Sequence, residues 1–140
     1  MNLVISNGEK AEVGELLDGY TQVVAGYIFG SRVKGNNHVD SDLDVALFCK
    51  NKTEIALLEV TAKLQRILPN FELDVVAVDL TNDPLFLCQI INGTVIYEKS
   101  FFQRAGLESK AVFLYEDCKK IARIKKYYLD KSFKEGTYAS

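Results

Sequence analysis

Aspartates stand at Asp40, Asp42 and Asp44 in the stretch FGSRVKGNNHVDSDLDVALF, which runs from residue 29 to residue 48 and ends in an apolar run. In an extended segment residues two apart point the same way. Asp42 and Asp44 would therefore present two carboxylates to one side, about 7 Å apart by strand rise. Spacing alone leaves Asp40-x-Asp42 open as a second pair of the same kind. Carboxylates on the lip of a core repel one another and are costly to desolvate, so a bound cation is the natural compensation. Hard oxygen donors point to Mg2+, which takes few protein carboxylates and keeps places for water and phosphate. Asp74 interrupts the apolar segment FELDVVAVDL in the same manner, with Asp79 at its end as the fallback. If Asp74 sits beside the pair, three carboxylates converge on a site able to hold two metals about 3.5–4 Å apart. Phosphoryl and nucleotidyl transfer require such an arrangement.

Gly30 and Ser31 open the same stretch. A glycine lets backbone approach a ligand closely, and a serine at a turn offers both an N–H and a hydroxyl to phosphate. Arg32 and Lys34 could add cationic contacts to the same phosphates. Each feature also has a plain structural reading: a Gly-Ser pair after a strand is an ordinary turn, and loop cations are usually solvated.

The flanking elements must bring these groups together. EKAEVGELLDGY reads as a short amphipathic helix with Ala11, Val13, Leu16 and Leu17 on one side, ended by Gly19. TQVVAGYIFG reads as a strand finishing at Gly30, and DLDVALFC as a second strand whose continuous Val45 to Cys49 run implies burial on both faces. TEIALLEVTAKLQRIL is helical, with apolar positions Ile55, Leu58, Ala62 and Leu68 joined by Val60 and Leu64; Thr53 serves as its cap and Pro69 as its stop. FELDVVAVDL is a third strand with Leu73, Val75 and Ala77 on one face and Asp74, Val76 and Val78 on the other. A short helix capped by Asp83 with Pro84 in its first turn, a brief strand TVIYE, and a long amphipathic helix from Leu107 to about Asp130 complete the chain. In the long helix Leu107, Ala111, Leu114, Cys118, Ile121 and Tyr128 keep the three-to-four spacing of one face. Strands and helices alternate, so the fold class is α/β: a short mixed sheet with flanking helices and the carboxylates at its open edge.

Composition sets limits. With 140 residues, 48% of them hydrophobic, the chain is long enough for one domain with a real core; residues 1–130 form it and residues 131–140 are read as a flexible tail. There is no secretory leader and no run of 18 uncharged apolar residues, so a cytoplasmic, non-membrane protein is expected. Cys49, Cys88 and Cys118 are far apart and odd in number, which suits reduced core thiols. His38 is the single histidine, leaving little to build a His-based triad or metal site from. Residues 1–118 carry 10 basic and 17 acidic side chains, a net of −7, whereas residues 119–140 carry 7 and 2, a net of +5. An acidic body with one basic end is a poor nucleic-acid binder.

Gly30-Ser31, ten residues, then Asp42-x-Asp44 resembles the G-S-x10-D-x-D signature of minimal nucleotidyltransferases in the DNA polymerase beta superfamily, and among them the MntA-like antitoxins. The resemblance spans about residues 5–130. It implies the nucleotidyltransferase fold, magnesium ligation by Asp42, Asp44 and Asp74, a catalytic role for the same three, and nucleotide phosphates held by Gly30, Ser31, Arg32 and Lys34. It also assigns Asp40 to the loop. The implied activity is transfer of AMP from ATP to a tyrosine of a cognate HEPN-type ribonuclease toxin (HepT), with release of pyrophosphate, within a type VII toxin–antitoxin pair that forms a hetero-oligomer. Family members usually carry a small residue and an arginine where this chain has Val33 and Lys34, and lysine cannot reproduce arginine's two-pronged phosphate contact. Two alternatives stand beside this: an antitoxin that acts by occlusion alone, and a nucleotidyltransferase acting on a small hydroxylated molecule.

Overall fold

The computed structural model describes residues 5–30 and 42–134. Helix α1 (Asn7–Asp18) leads to strand β1 (Val23–Phe29) and then β2 (Asp42–Cys49). A single 3-10 turn (Lys52–Glu54), α2 (Leu57–Ile67), β3 (Glu72–Val78), α3 (Pro84–Ile91), β4 (Thr94–Glu98) and α4 (Phe101–Lys134) follow. The four strands form one mixed sheet in the order β3-β2-β1-β4. β1 pairs antiparallel with both β2 and β4, and β2 pairs parallel with β3 through the α2 crossover. Both faces of the sheet are covered. Leu43, Val45, Leu47 and Cys49 of β2 pack with Val13 and Leu17 of α1 and Val60 and Leu64 of α2 on one side. Ala46 and Phe48 pack with Ala25 and Tyr27 of β1 and with Leu87 and Ile90 of α3 on the other. The continuous apolar run of β2 thus has the two-sided burial it implies, and β3 divides its faces as the alternation predicts, Leu73, Val75 and Ala77 to one core and Val76 and Val78 to the other.

Local signals explain most boundaries. Ser6 and Glu9 form a reciprocal capping box at the start of α1, an S-x-x-E signature that the sequence displays openly. Asp83 accepts the Leu85 N–H with Pro84 at the first helical position, as expected for α3. Other expectations fail. Ala11 is exposed, and Val13 and Leu17 alone on α1 are fully buried. Thr53 is not the cap of α2: the Asn51 side chain accepts from the Thr53 N–H and hydroxyl to close the 3-10 turn, and the helix restarts at Leu57 without a side-chain cap. That break changes the helical phase, so Val60, Leu64 and Leu68 are buried while Leu58 is 88% exposed and Ala62 also faces solvent. Helix α4 begins six residues before the expected Leu107, because the Ser100 hydroxyl accepts the Gln103 N–H and starts it at Phe101. No helix among the described residues is long and apolar enough to cross a membrane.

The first turns of α4 are tied to the sheet by a polar chain. The buried Tyr27 hydroxyl donates to Glu108 Oε2 at 2.7 Å, Arg104 Nη1 donates to the same oxygen at 2.9 Å, and Arg104 Nε donates to Glu98 Oε1 at 2.6 Å. Burial, and then the Glu108 carboxylate, push the Tyr27 phenol far above its ordinary range, so it remains a neutral donor. Cys49 is buried and its thiol is raised to about 11 by that burial and by Asp79, which makes it an inert core residue. Cys118 departs from the core-thiol expectation: it is exposed on α4, past the point where that helix touches the sheet.

Asp79, the fallback third carboxylate, is a structural group. It is 5% exposed and accepts hydrogen bonds from the Lys52 N–H, the Thr81 N–H and the Thr81 hydroxyl, closing the loop after β3. Burial alone would raise its pKa, but the N–H and hydroxyl donors and the nearby Lys52 charge outweigh it and hold it below the ordinary value of 3.8. A depressed folded pKa gives stability that is present above the unfolded value and lost as pH falls through the folded one. Asp79→Ala is therefore expected to cost ~1–3 kcal/mol at neutral pH, from unpaired donors. Urea unfolding should show the deficit shrinking as pH falls below 3.8, with the wild type converging on the variant.

Candidate active site

The parallel ladder between β2 and β3 determines what meets what. Asp44 lies opposite Asp74, and Asp42 lies opposite Glu72. Register partners in a parallel pair share a face and lie about 4.8 Å apart. Asp42, Asp44 and Asp74 therefore rise from one face of two adjacent strands. It is the face covered further along by α3 through Ala46, Phe48, Val76 and Val78. The carboxylates occupy the end of this face that α3 leaves open. Asp42 and Asp74 are exposed and Asp44 is half-buried. Asp74 is on the edge strand, whereas Asp42 and Asp44 are on the strand next to it, an inner position that the expectation of an open edge did not specify.

Across β2 on the opposite side, Phe29 of β1 is the register partner of Asp44. Its ring meets Phe86 of α3 edge-on, with centroids 5.8 Å apart, and so walls the site on the core side. Gly30 follows directly, with φ +88°, in the left-handed region that side chains disfavour. A Cβ built there would stand 2.8 Å from Asp44 Oδ2. Glycine thus does two things at this position: it adopts the left-handed turn after β1, and it brings no Cβ against the Asp44 carboxylate. Gly30→Ala is expected to lower stability by ~1–3 kcal/mol through strain and this contact, read as a shift in thermal unfolding. Ser31, Arg32, Lys34 and Asp40, the remaining phosphate-contact candidates and the alternative aspartate, lie outside the described residues.

Glu72 is a carboxylate that sequence reading passed over. The signal was there: Glu72-x-Asp74 repeats the spacing of Asp42-x-Asp44, and parallel pairing in register sets the two motifs side by side. Among the described residues no three His, Cys, Asp or Glu side chains stand close enough to hold a metal ion as a preformed group. Magnesium does not demand such a cage, since one or two carboxylates plus substrate phosphates suffice. The hard oxygen donors of Asp42 and Asp44, on one face of β2, fit that mode. Chemically, the arrangement can hold a cation-bridged polyphosphate over an exposed carboxylate, Asp74.

An inner-strand carboxylate pair beside a left-handed glycine, on a mixed sheet with helices on both faces, is the arrangement from which the class of protein is judged. Residues 11–102 match the family described as polymerase beta, nucleotidyltransferase, and the chain belongs to that family. The matched span contains Gly30, Asp42, Asp44 and Asp74 and ends two residues into α4. Among solved structures the chain is similar to one from a toxin–antitoxin crystal with AMP-PNP, at 22% identity and TM-score 0.61, covering 85% of this chain and 98% of that one. It is also similar to a chain of the MntA–HepT toxin–antitoxin (19%, TM-score 0.59, 88% and 99% covered). A third likeness is to a chain from the complex of tri-AMPylated Shewanella oneidensis HEPN toxin with MNT antitoxin (18%, TM-score 0.60, 89% and 99%). At these identities the likeness is one of fold. No curated protein matches the chain.

Proposed function

We propose that this protein is the antitoxin of a HEPN/MNT pair and acts as a Mg2+-dependent protein adenylyltransferase, moving AMP from ATP to a tyrosine of its HEPN-type ribonuclease partner. The observation that carries the reading is the register of Asp44 against Asp74, with Gly30 turned left-handed beside Asp44. The AMP-PNP and tri-AMPylated complexes among the chain's structural relatives support the nucleotide and the acceptor class. Asp42, Asp44 and Asp74 would hold the metal, which when bound offsets the negative charge of the triphosphate. Gly30, Ser31, Arg32 and Lys34 would seat the β- and γ-phosphates. The acceptor oxygen attacks the α-phosphorus, the bond from that phosphorus to the pyrophosphate oxygen breaks, and the phenolic proton passes to the Asp74 carboxylate. Asp74 suits that task because it is exposed at the rim, where an incoming protein side chain can reach it. Positioning and charge neutralisation supply most of the rate.

The test is to look for a HEPN-type protein among the products of the adjacent genes and to measure its intact mass after incubation with this protein, ATP and Mg2+. A gain of whole AMP units is expected, absent with the Asp42→Asn, Asp44→Asn double variant. A second reading, occlusion without chemistry, has one observation in its favour: the exposed apolar length of α4. Under it the neighbour's mass stays unchanged while the double variant still protects cells.

A further inference from the structure

Beyond Ala111 the apolar stripe of α4 continues, and among the described residues it is exposed. Leu107, Ala111, Leu114, Cys118, Ile121 and Tyr128 fall on steps of four and three, with Lys125 taking the intervening place, which is the a/d spacing of a heptad seam. Leu107 and Ala111 use it to pack on the sheet and α3. Leu114, Ile121 and Tyr128 carry it into solvent, 37%, 51% and 61% exposed, with Leu129 beside them at 49%. Leu129 is on the position next to the seam, as are Tyr115 and Ala122. The apolar face is therefore three positions wide per heptad, the width a helix buries in a bundle rather than in a two-stranded coil. Exposed apolar surface of this extent marks an interaction site, and Val112, Phe113, Ile124 and Tyr127 add to it outside the stripe.

Charge decides what can cover it. From Leu114 to Leu129 the helix bears five cations (Lys119, Lys120, Arg123, Lys125, Lys126) and two carboxylates (Glu116, Asp117), a net of +3. A second copy laid parallel along the same face sets these like charges against each other, and an antiparallel copy offsets them only through Glu116 and Asp117. An apolar helical surface edged with carboxylates satisfies both the stripe and its border, where Lys119 and Lys126 stand two turns apart to the side of the seam.

We propose that α4 from Leu114 to Leu129 is a docking surface for an acidic, α-helical protein surface. The inference rests on the functional reading above in one respect: the surface is taken to belong to the same protein that receives AMP, so that α4 grips the substrate protein while the carboxylate site modifies it. Titration calorimetry of this protein with the adjacent gene's product tests it, using Ile121→Asp/Tyr128→Asp, Lys119→Glu/Lys126→Glu and the Asp42→Asn/Asp44→Asn variant. The apolar variant is expected to bind at least ~30-fold more weakly. The charge-reversed variant should lose ~10-fold at low salt, with the difference closing at high salt. The aspartate variant should bind as the wild type does. Unchanged unfolding curves confirm that the exposed substitutions leave the body folded. If both α4 variants bind like the wild type while AMP is still transferred, the docking surface is wrong and the enzymatic reading stands. Wild-type protein that sediments as a dimer, dissolved by Ile121→Asp, would assign the face to a second copy instead. A wild type that neither binds nor modifies the neighbour overturns the functional reading and the choice of partner together.

Discussion

Under the proposed function, Asp44→Asn is expected to reduce AMP transfer by at least ~10^3-fold while leaving the fold in place. Asn matches Asp in shape, so the half-buried position on β2 can be filled without moving the strand. What is lost is a full negative charge at the centre of the site, between Phe29 on one neighbouring strand and Asp74 on the other. A neutral amide is a poor partner for a hard cation, and the triphosphate would be left with its charge uncompensated. Asp74→Asn should behave differently in kind. Its side chain is exposed on the edge strand, and under the proposed mechanism its loss would remove the proton acceptor more than the nucleotide seat. ATP binding by calorimetry, set beside AMP incorporation into the partner, separates the two: Asp44→Asn should depress both, and Asp74→Asn mainly the second. Equal activity of Asp44→Asn and wild type would remove the carboxylate pair from the mechanism. Gly30→Ala, which crowds Asp44 Oδ2, should fall between these variants in activity.

The largest effect on stability is expected at Gly93, in the turn from α3 into β4. A Cβ there would stand 2.2 Å from the Ile28 carbonyl oxygen and 3.1 Å from that of Ile90. Both obstacles are backbone, one in β1 and one in the last turn of α3, and neither can swing aside as a side chain would. Gly93 donates its N–H to Ile90 O at 2.9 Å, which holds the chain against the end of α3 as it turns into β4. Gly93→Ala should cost at least ~3 kcal/mol, a large part of the ~5–15 kcal/mol that keeps a domain folded. The corresponding fall in melting temperature is roughly 10 °C or more. The strain should also reach the site, because Ile28 is two residues before Gly30 on the same strand. Differential scanning calorimetry gives the first number, and the near-ultraviolet signal of Phe29 and its aromatic neighbours reports the second. A melting temperature within about 2 °C of wild type would show that β1 and α3 can part at this junction at little cost.

Much of this protein is legible from residue types alone. Strand β2 could be read because a run of buried apolar residues needs a sheet covered on both faces, and β3 because its alternation sends Leu73 and Asp74 to opposite sides. The candidate carboxylates and the turn glycine announce themselves because charge and missing side chains are costly at the end of a core strand. Other features could not be read this way. The pairing of Asp44 with Asp74, and of Asp42 with Glu72, is a matter of register between segments thirty residues apart, and only the packing of α2 across the two strands sets it. The phase of α2 was misread for the same reason: a 3-10 turn held by Asn51 reset it, and periodicity carries no record of where a helix restarts. The stripe on α4 shows the converse. Sequence determines that it is apolar every third or fourth residue, while the tertiary structure decides that the sheet and α3 reach only its first turns, because they end there and the helix does not.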